Sequence, residues 1–225
     1  AERDSQMKYY AKQVGEIVSG VVQAVTPQQV TLGLDMKAEG VLPRNQQING
    51  EHFRVHDRVQ SLLLEVKQTP RGPQIVLSRS HRNFLRCLLE NEVPEIYHGL
   101  VEIRSIAREP GERAKVAVSA TQAGVDPVGA CVGMKGSRVQ SVVQELRGER
   151  IDIIAWDEDP AKFVCNALQP AEIIRVLVNE SEKTMEVIVP EEQLRPLAEA
   201  YRKGFEEGRG AGMDAVMAGF YVNNN

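Results

Sequence analysis

Asp126-Pro127-Val128-Gly129-Ala130-Cys131-Val132-Gly133-Met134-Lys135-Gly136-Ser137-Arg138-Val139-Gln140 is the stretch from which the rest of the chain is best read. Asp126 before Pro127 is a helix N-cap with proline at the first helical position, and the pattern carries that helix to Val132. A second helix follows the glycine pair, with Val139, Val142, Val143 and Leu146 on one face and Gly148 at its end. The chain has 18 glycines in 225 residues, so composition alone yields about one Gly-x-x-Gly. The spacing proves nothing by itself; its place between two helices gives it meaning. Two residues without Cβ atoms let the backbone bend tightly and let another chain approach closely. The helix beyond offers free N–H groups and a positive dipole end, to which Lys135 and Arg138 add charge. The Gly129–Ser137 run superficially resembles a Walker loop. Its second glycine comes one place early, Gly136 separates Lys135 from Ser137, and a capped helix rather than a strand precedes it.

Upstream, Phe84, Leu85, Leu88 and Leu89 form one helix face that Pro94 ends. Strands over Leu100 to Ala107 and Ala114 to Ser119 flank the turn Glu109-Pro110-Gly111. Downstream, Ile151 to Trp156 reads as a strand. The resulting order is helix, strand, strand, helix, helix, strand. That is the α/β plan of a type II KH domain, whose glycine loop clamps about four nucleotides of single-stranded RNA. The unit then starts again: Asp159-Pro160 repeats the cap, Phe163, Val164, Ala167 and Leu168 repeat the helix face, and Ile173 to Asn179 with Thr184 to Val189 repeat the strand pair.

Before Ser80 the pattern is all β. Ile17 to Val22 is β-branched, Val30, Leu32 and Leu34 alternate, Val59 to Val66 is a further strand, and Thr69-Pro70-Arg71-Gly72-Pro73 turns into Gln74 to Ser78. About five short strands in so short a span predict a small closed barrel, which leaves no open sheet edge.

Apolar residues make up 42% and charged residues 26% of the chain, an ordinary globular composition that excludes a wholly disordered one. No run is long and apolar enough for a membrane span and the first residues do not form a signal peptide. Three widely spaced cysteines (Cys87, Cys131, Cys165) argue against a disulfide scaffold or zinc ribbon and fit a reducing cytoplasm. The net charge of −4 is unevenly distributed: +1 over residues 1–13, +1 over 14–80, 0 over 81–155 and −6 over 156–225. Polyanion contacts depend on local potential over roughly 8 Å, so the first two thirds remain open to RNA and the last third is a poor candidate.

Three segments, Val14 to Val22, Asp126 to Gln140 and Gly148 to Ile153, closely resemble the NusA family of bacterial transcription factors, and the likeness runs from about Lys8 to Leu194. The resemblance implies an OB-type barrel of the S-one kind over 14–80, a first KH domain over 81–158 and a second over 159–225. It implies that residues 1–13 are a linker from a preceding polymerase-binding domain that this chain lacks. It further implies a non-catalytic, cytoplasmic, monomeric RNA-binding core without cofactor. Its partners would be nascent RNA, RNA polymerase and, beyond these, other Nus or antitermination factors and the termination factor Rho. The expected action is modulation of pausing, termination and antitermination.

The expected RNA contacts are Val132, Gly133, Met134, Lys135, Gly136, Ser137, Arg138 and Val139. The amides of 133–137 with Lys135 and Arg138 would hold phosphates, and the apolar surface by Val132 and Val139 would receive bases. On the barrel, Arg44, Arg54 and Arg58 flank His52 and Phe53, either as a small binding surface or as a solvated basic loop with Phe53 tucked into the barrel end, while strands Ile17–Val22 and Val30–Leu34 carry no aromatic for base stacking. Past Leu194 the family pattern is lost. Glu199 and Arg202 stand where the second glycine pair belongs, so the second KH unit is expected to act mainly as a packing partner. His52 and His56 have helical metal-ligand spacing but no third ligand, and no nucleophile or paired-carboxylate signature marks an active site. Two rival readings share these features. One is the RNA-gripping accessory module of a ribonuclease, where the KH unit comes first and only once. The other is a protein-interaction scaffold with a decayed RNA surface.

Overall fold

The computed structural model describes residues 2–195 and 197. Its contacts divide the chain into two compact units. The first holds the chain up to Pro94 with residues 110–112 and 140–149. The second holds 95–109, 113–139 and the described chain from Arg150 on.

The first unit is built on a closed five-stranded barrel of β1 (Ile17–Val25), β2 (Gln29–Gly33), β3 (Glu39–Pro43), β4 (Arg58–Thr69) and β5 (Gly72–Ser78). Neighbours pair antiparallel except β3 with β5, whose parallel pairing closes the ring. Alternate residues point inward, so Val18, Val22, Val30, Leu32, Leu42, Val59, Leu63, Ile75 and Leu77 fill the interior. So narrow a barrel needs a residue without a side chain where strands converge. A Cβ on Gly20 would sit 2.7 Å from Leu34 Cδ2.

Residues 1–13, read from the sequence as a linker, carry helix α1 (Glu2–Ala11), which packs on β4 and β5. Tyr10 belongs to the barrel core and its hydroxyl donates to the Asp35 carbonyl at 2.8 Å. Gln6 Nε2 donates to the Met36 carbonyl at 2.8 Å. Burial first, then the negative charge of Asp35, pushes the Tyr10 phenol from 10.0 up to about 12. A phenol that ionises later in the folded than in the unfolded chain stabilises the fold fully below pH of about 10, and this contribution is lost as pH rises through about 12. An absorbance titration should therefore show one of the five tyrosines ionising only near pH 12 or on unfolding.

Helix α2 (Arg82–Glu92) is capped by His81, whose Nδ1 accepts from the Asn83 amide at 3.0 Å, and buries Phe84, Leu85, Leu88 and Leu89 as its spacing predicts. Pro94 ends that pattern but begins a short helix of its own, α3 (Pro94–Tyr97). In the second unit, β6 (Val101–Glu109) and β7 (Arg113–Ala120) form an antiparallel pair, and β8 (Arg150–Ala155) joins β7 in parallel. Helix α4 (Pro127–Val132) lies against all three strands. Helix α5 (Ser137–Glu145) follows the glycine bend; its residues from 140 on belong to the first unit, where Val142 is buried, with Leu146 buried just beyond the helix. The predicted order of elements is the observed one, with α3 as an additional short helix before the first strand.

The repeat begins with α6 (Pro160–Leu168), whose cap Asp159 accepts from the Ala161 amide at 3.0 Å, and continues with the hairpin β9 (Arg175–Asn179) and β10 (Thr184–Ile188). Two polar contacts bind α6 to the preceding sheet: Asn166 Nδ2 donates to the Ala155 carbonyl at 3.0 Å, and Lys115 Nζ donates to the Ala167 carbonyl. Burial first, and the neighbouring Arg113 next, lower the Lys115 pKa. Glu199, Arg202 and the glycines of 204–212 lie outside the described residues, as does the fold expected of that segment.

Candidate nucleic-acid interface

The glycine bend is assembled by local forces. Asp126 Oδ1 accepts the Gly129 amide at 3.1 Å and fixes the start of α4. At the end of that helix Gly133 takes φ 75° and ψ 175°, and its amide still bonds the Gly129 carbonyl at 2.9 Å. Lys135 and Gly136 then adopt φ 53° and 77°. Three of four successive residues thus lie at positive φ, a conformation costly to any residue but glycine. Gly133 is fixed by space as well as by angle: a Cβ there would lie 2.7 Å from Arg138 Cγ and 3.0 Å from the Arg138 nitrogen.

The bend is open to solvent. Met134 at its apex is 84% exposed, and Lys135 and Ser137 are also exposed. Val132, Gly133, Gly136, Arg138 and Val139 are half-buried. Of the five amides over 133–137, that of Gly136 bonds the Gly133 carbonyl at 3.1 Å and that of Ser137 the Met134 carbonyl, in addition to the Gly133 bond above. Among the described hydrogen bonds none uses the amides of Met134 or Lys135. The donors at the apex are therefore those two amides and the Lys135 ammonium. Arg138 turns back across the bend instead, and its Nη1 donates to the Ala130 carbonyl at 2.7 Å and to Glu95 Oε2 at 2.8 Å.

Cys131, directly behind the bend, is fully buried, and burial pushes its thiol up to about 11. It is a packing residue rather than a thiolate.

Arg44 and Arg54 lie in the barrel unit, and both are exposed. Arg44 opens a short turn after β3 with its amide bonded to the Gln28 carbonyl at 2.9 Å, and the Arg54 amide bonds Asp57 Oδ2 at 2.8 Å. Phe53 packs against the barrel core, and the Arg147 guanidinium lies 5.0 Å from its ring centroid, so the ring is committed within the unit. Two partnerships had no signal in the sequence: Glu95 with Arg138, and a buried cluster around Arg79. Each unites residues far apart in the chain, one acid among 31 acidic side chains with one base among 27 basic ones.

Comparison with known proteins gives these units their family. A model described as an S1 RNA binding domain matches residues 11–79, one for a NusA-like first KH domain matches 79–156, and one for a NusA-like second KH domain matches 160–196. Proteins named transcription termination/antitermination protein NusA align with most of the chain. That of Halalkalibacterium halodurans is 50% identical over 179 residues (80% of this chain, 47% of the relative). That of Bacillus subtilis is 46% identical over 194 residues (86% and 52%), and that of Rickettsia prowazekii 40% identical over 195 (85% and 39%). The chain spans about half the length of the first two curated relatives and less of the third. Taken with the barrel, the glycine bend and the repeated helix–strand pattern, these matches make the chain a member of the NusA family, consisting of an S1 domain followed by two KH domains.

Proposed function

We propose that this chain is the RNA-binding core of a transcription termination/antitermination factor, gripping nascent RNA without a catalytic step of its own. The observation that carries this reading is the solvent-facing bend at 133–136, where two amides and an ammonium gather at the amino end of α5. RNA phosphates sit against the Met134 and Lys135 amides and Lys135 Nζ. Close approach is allowed because Gly133 and Gly136 present no side chain. Bases lie along the half-buried Val132 and Val139, and Arg44 and Arg54 add a second basic surface on the barrel over 14–80. The KH domains extend over 81–158 and 159–225, the second serving mainly as a packing partner. The factor acts in the cytoplasm as a monomer on RNA polymerase, in company with other Nus or antitermination factors and Rho. Among the described residues no helix is long and apolar enough to cross a membrane.

Phosphate contacts release counterions, so affinity for single-stranded RNA falls with salt at a log–log slope of about −0.7 per phosphate. Two or three phosphates on the bend would give a slope of about −1.4 to −2.1. A fluorescence-anisotropy titration across salt concentrations measures it. A flat salt dependence would remove the phosphate clamp from the reading and favour the protein scaffold.

A further inference from the structure

We infer that Glu95 is a charge latch on the clamp: it occupies Arg138 until an RNA phosphate takes its place. This rests on the reading of residues 133–136 as the RNA clamp, and it assigns a role to a residue outside that bend. Glu95 and Arg138 side chains are 31% and 30% exposed, so the ion pair lies where a ligand can reach it. A carboxylate offers a guanidinium two oxygens in nearly the arrangement that a phosphate does. In the free protein Glu95 thus fills the place of a phosphate. The second bond of Arg138 Nη1, to the Ala130 carbonyl, holds the guanidinium beside the bend, and the arginine stem packs over Gly133. A guanidinium has five N–H donors, and the two bonds described use one nitrogen. Arg138 can therefore exchange its acidic partner without leaving the bend.

The exchange tunes recognition. While Glu95 neutralises Arg138, the apex charge of the free clamp is that of Lys135 alone, and attraction of an arbitrary polyanion is weak. A phosphate seated on the bend amides meets the guanidinium directly and displaces the carboxylate. Glutamine at 95 keeps the shape and the accepting oxygen but removes the charge.

The test uses the 225-residue chain and a fluorescein-labelled pool of random single-stranded RNA. Glu95→Gln should tighten binding about three- to tenfold at low salt, the scale of one near-surface charge interaction. The salt slope should steepen by up to about 0.7, one further phosphate, with the melting temperature unchanged. Arg138→Gln should weaken binding, and adding Glu95→Gln to it should restore nothing, since the gain is routed through Arg138. Unchanged or weakened binding by Glu95→Gln overturns the latch and makes the pair a brace for the bend. The same assay on Met134→Asp with Lys135→Asp separates the two claims. If that pair abolishes binding while Glu95→Gln gains nothing, the latch alone fails. If that pair leaves binding intact, the clamp reading fails and the latch with it.

Discussion

Arg79→Ala should destabilise the barrel unit by about 3–5 kcal/mol, the cost of leaving a buried charge without its partner. Arg79 is 1% exposed. Its Nη2 lies 2.7 Å from Glu51 Oε1 and its Nε 2.9 Å from Glu51 Oε2, a two-pronged pairing. Nη1 donates to the Gln60 carbonyl at 2.7 Å and to Glu145 Oε1 at 3.2 Å, and Nη2 also to the Glu145 carbonyl at 3.0 Å. The guanidinium stands 5.2 Å from the Phe84 ring centroid. Burial opposes the charged form, but Glu51 and then Glu145 more than offset it and hold the pKa above its ordinary value. The Glu51 side chain is itself only 3% exposed, and its other cationic neighbour, Arg147 Nε, is 3.8 Å away and half in solvent. Alanine at 79 therefore strands a carboxylate in the interior. Urea unfolding followed by far-UV circular dichroism should show the loss. Fluorescence of Trp156, the chain's one tryptophan, lies in the other unit and monitors that unit separately. Replacing Arg79 and Glu51 together with Met and Leu should cost less than Arg79→Ala, because apolar packing then replaces a paired charge. If Arg79→Ala melts like the parent chain, the cluster does not hold the barrel to the segment around Glu145.

Met134→Asp with Lys135→Asp should lower affinity for single-stranded RNA by on the order of a hundredfold at moderate salt, with the fold intact. The change removes the apex ammonium and sets two carboxylates against the phosphate path. Met134 packs against little, being 84% exposed, so its replacement creates no cavity. Aspartate also tolerates the left-handed conformation of residue 135, φ 53°, better than most residues. The effect should therefore appear in RNA binding, with a flattened salt slope, and leave unfolding nearly unchanged. An equal loss of stability would show that the bend carries structural load rather than ligand.

The core of this architecture was legible because its signals are local. The caps at Asp126 and Asp159, the apolar face Phe84–Leu89 and the order of elements around the glycine bend all come from neighbours within a few residues. What escaped depends on distant partners or on a broken period. Strand β3 buries Gly40, Val41 and Leu42 in succession, so the alternation that marks a half-buried strand is absent. Helix α1 has hardly any apolar face, and its one buried residue, Tyr10, reaches into a core formed by later strands. Strand β4 runs to Thr69, past the Val66 at which its alternation fades. At the interface, the bend follows from Gly133 and Gly136 lying between the helix capped by Asp126 and the apolar face that begins at Val139. The engagement of Arg138 does not, because Glu95 lies 43 positions away and no local pattern distinguishes it. Phe53 illustrates the same limit, since its ring is claimed by Arg147, far along the chain.

The most direct test of the account is an amide-resolved NMR titration of the full chain with random single-stranded RNA. The largest shifts should fall on the Met134 and Lys135 amides and the first turn of α5, with smaller ones around Arg44 and Arg54. Shifts that leave residues 132–139 untouched while RNA binds elsewhere would contradict it.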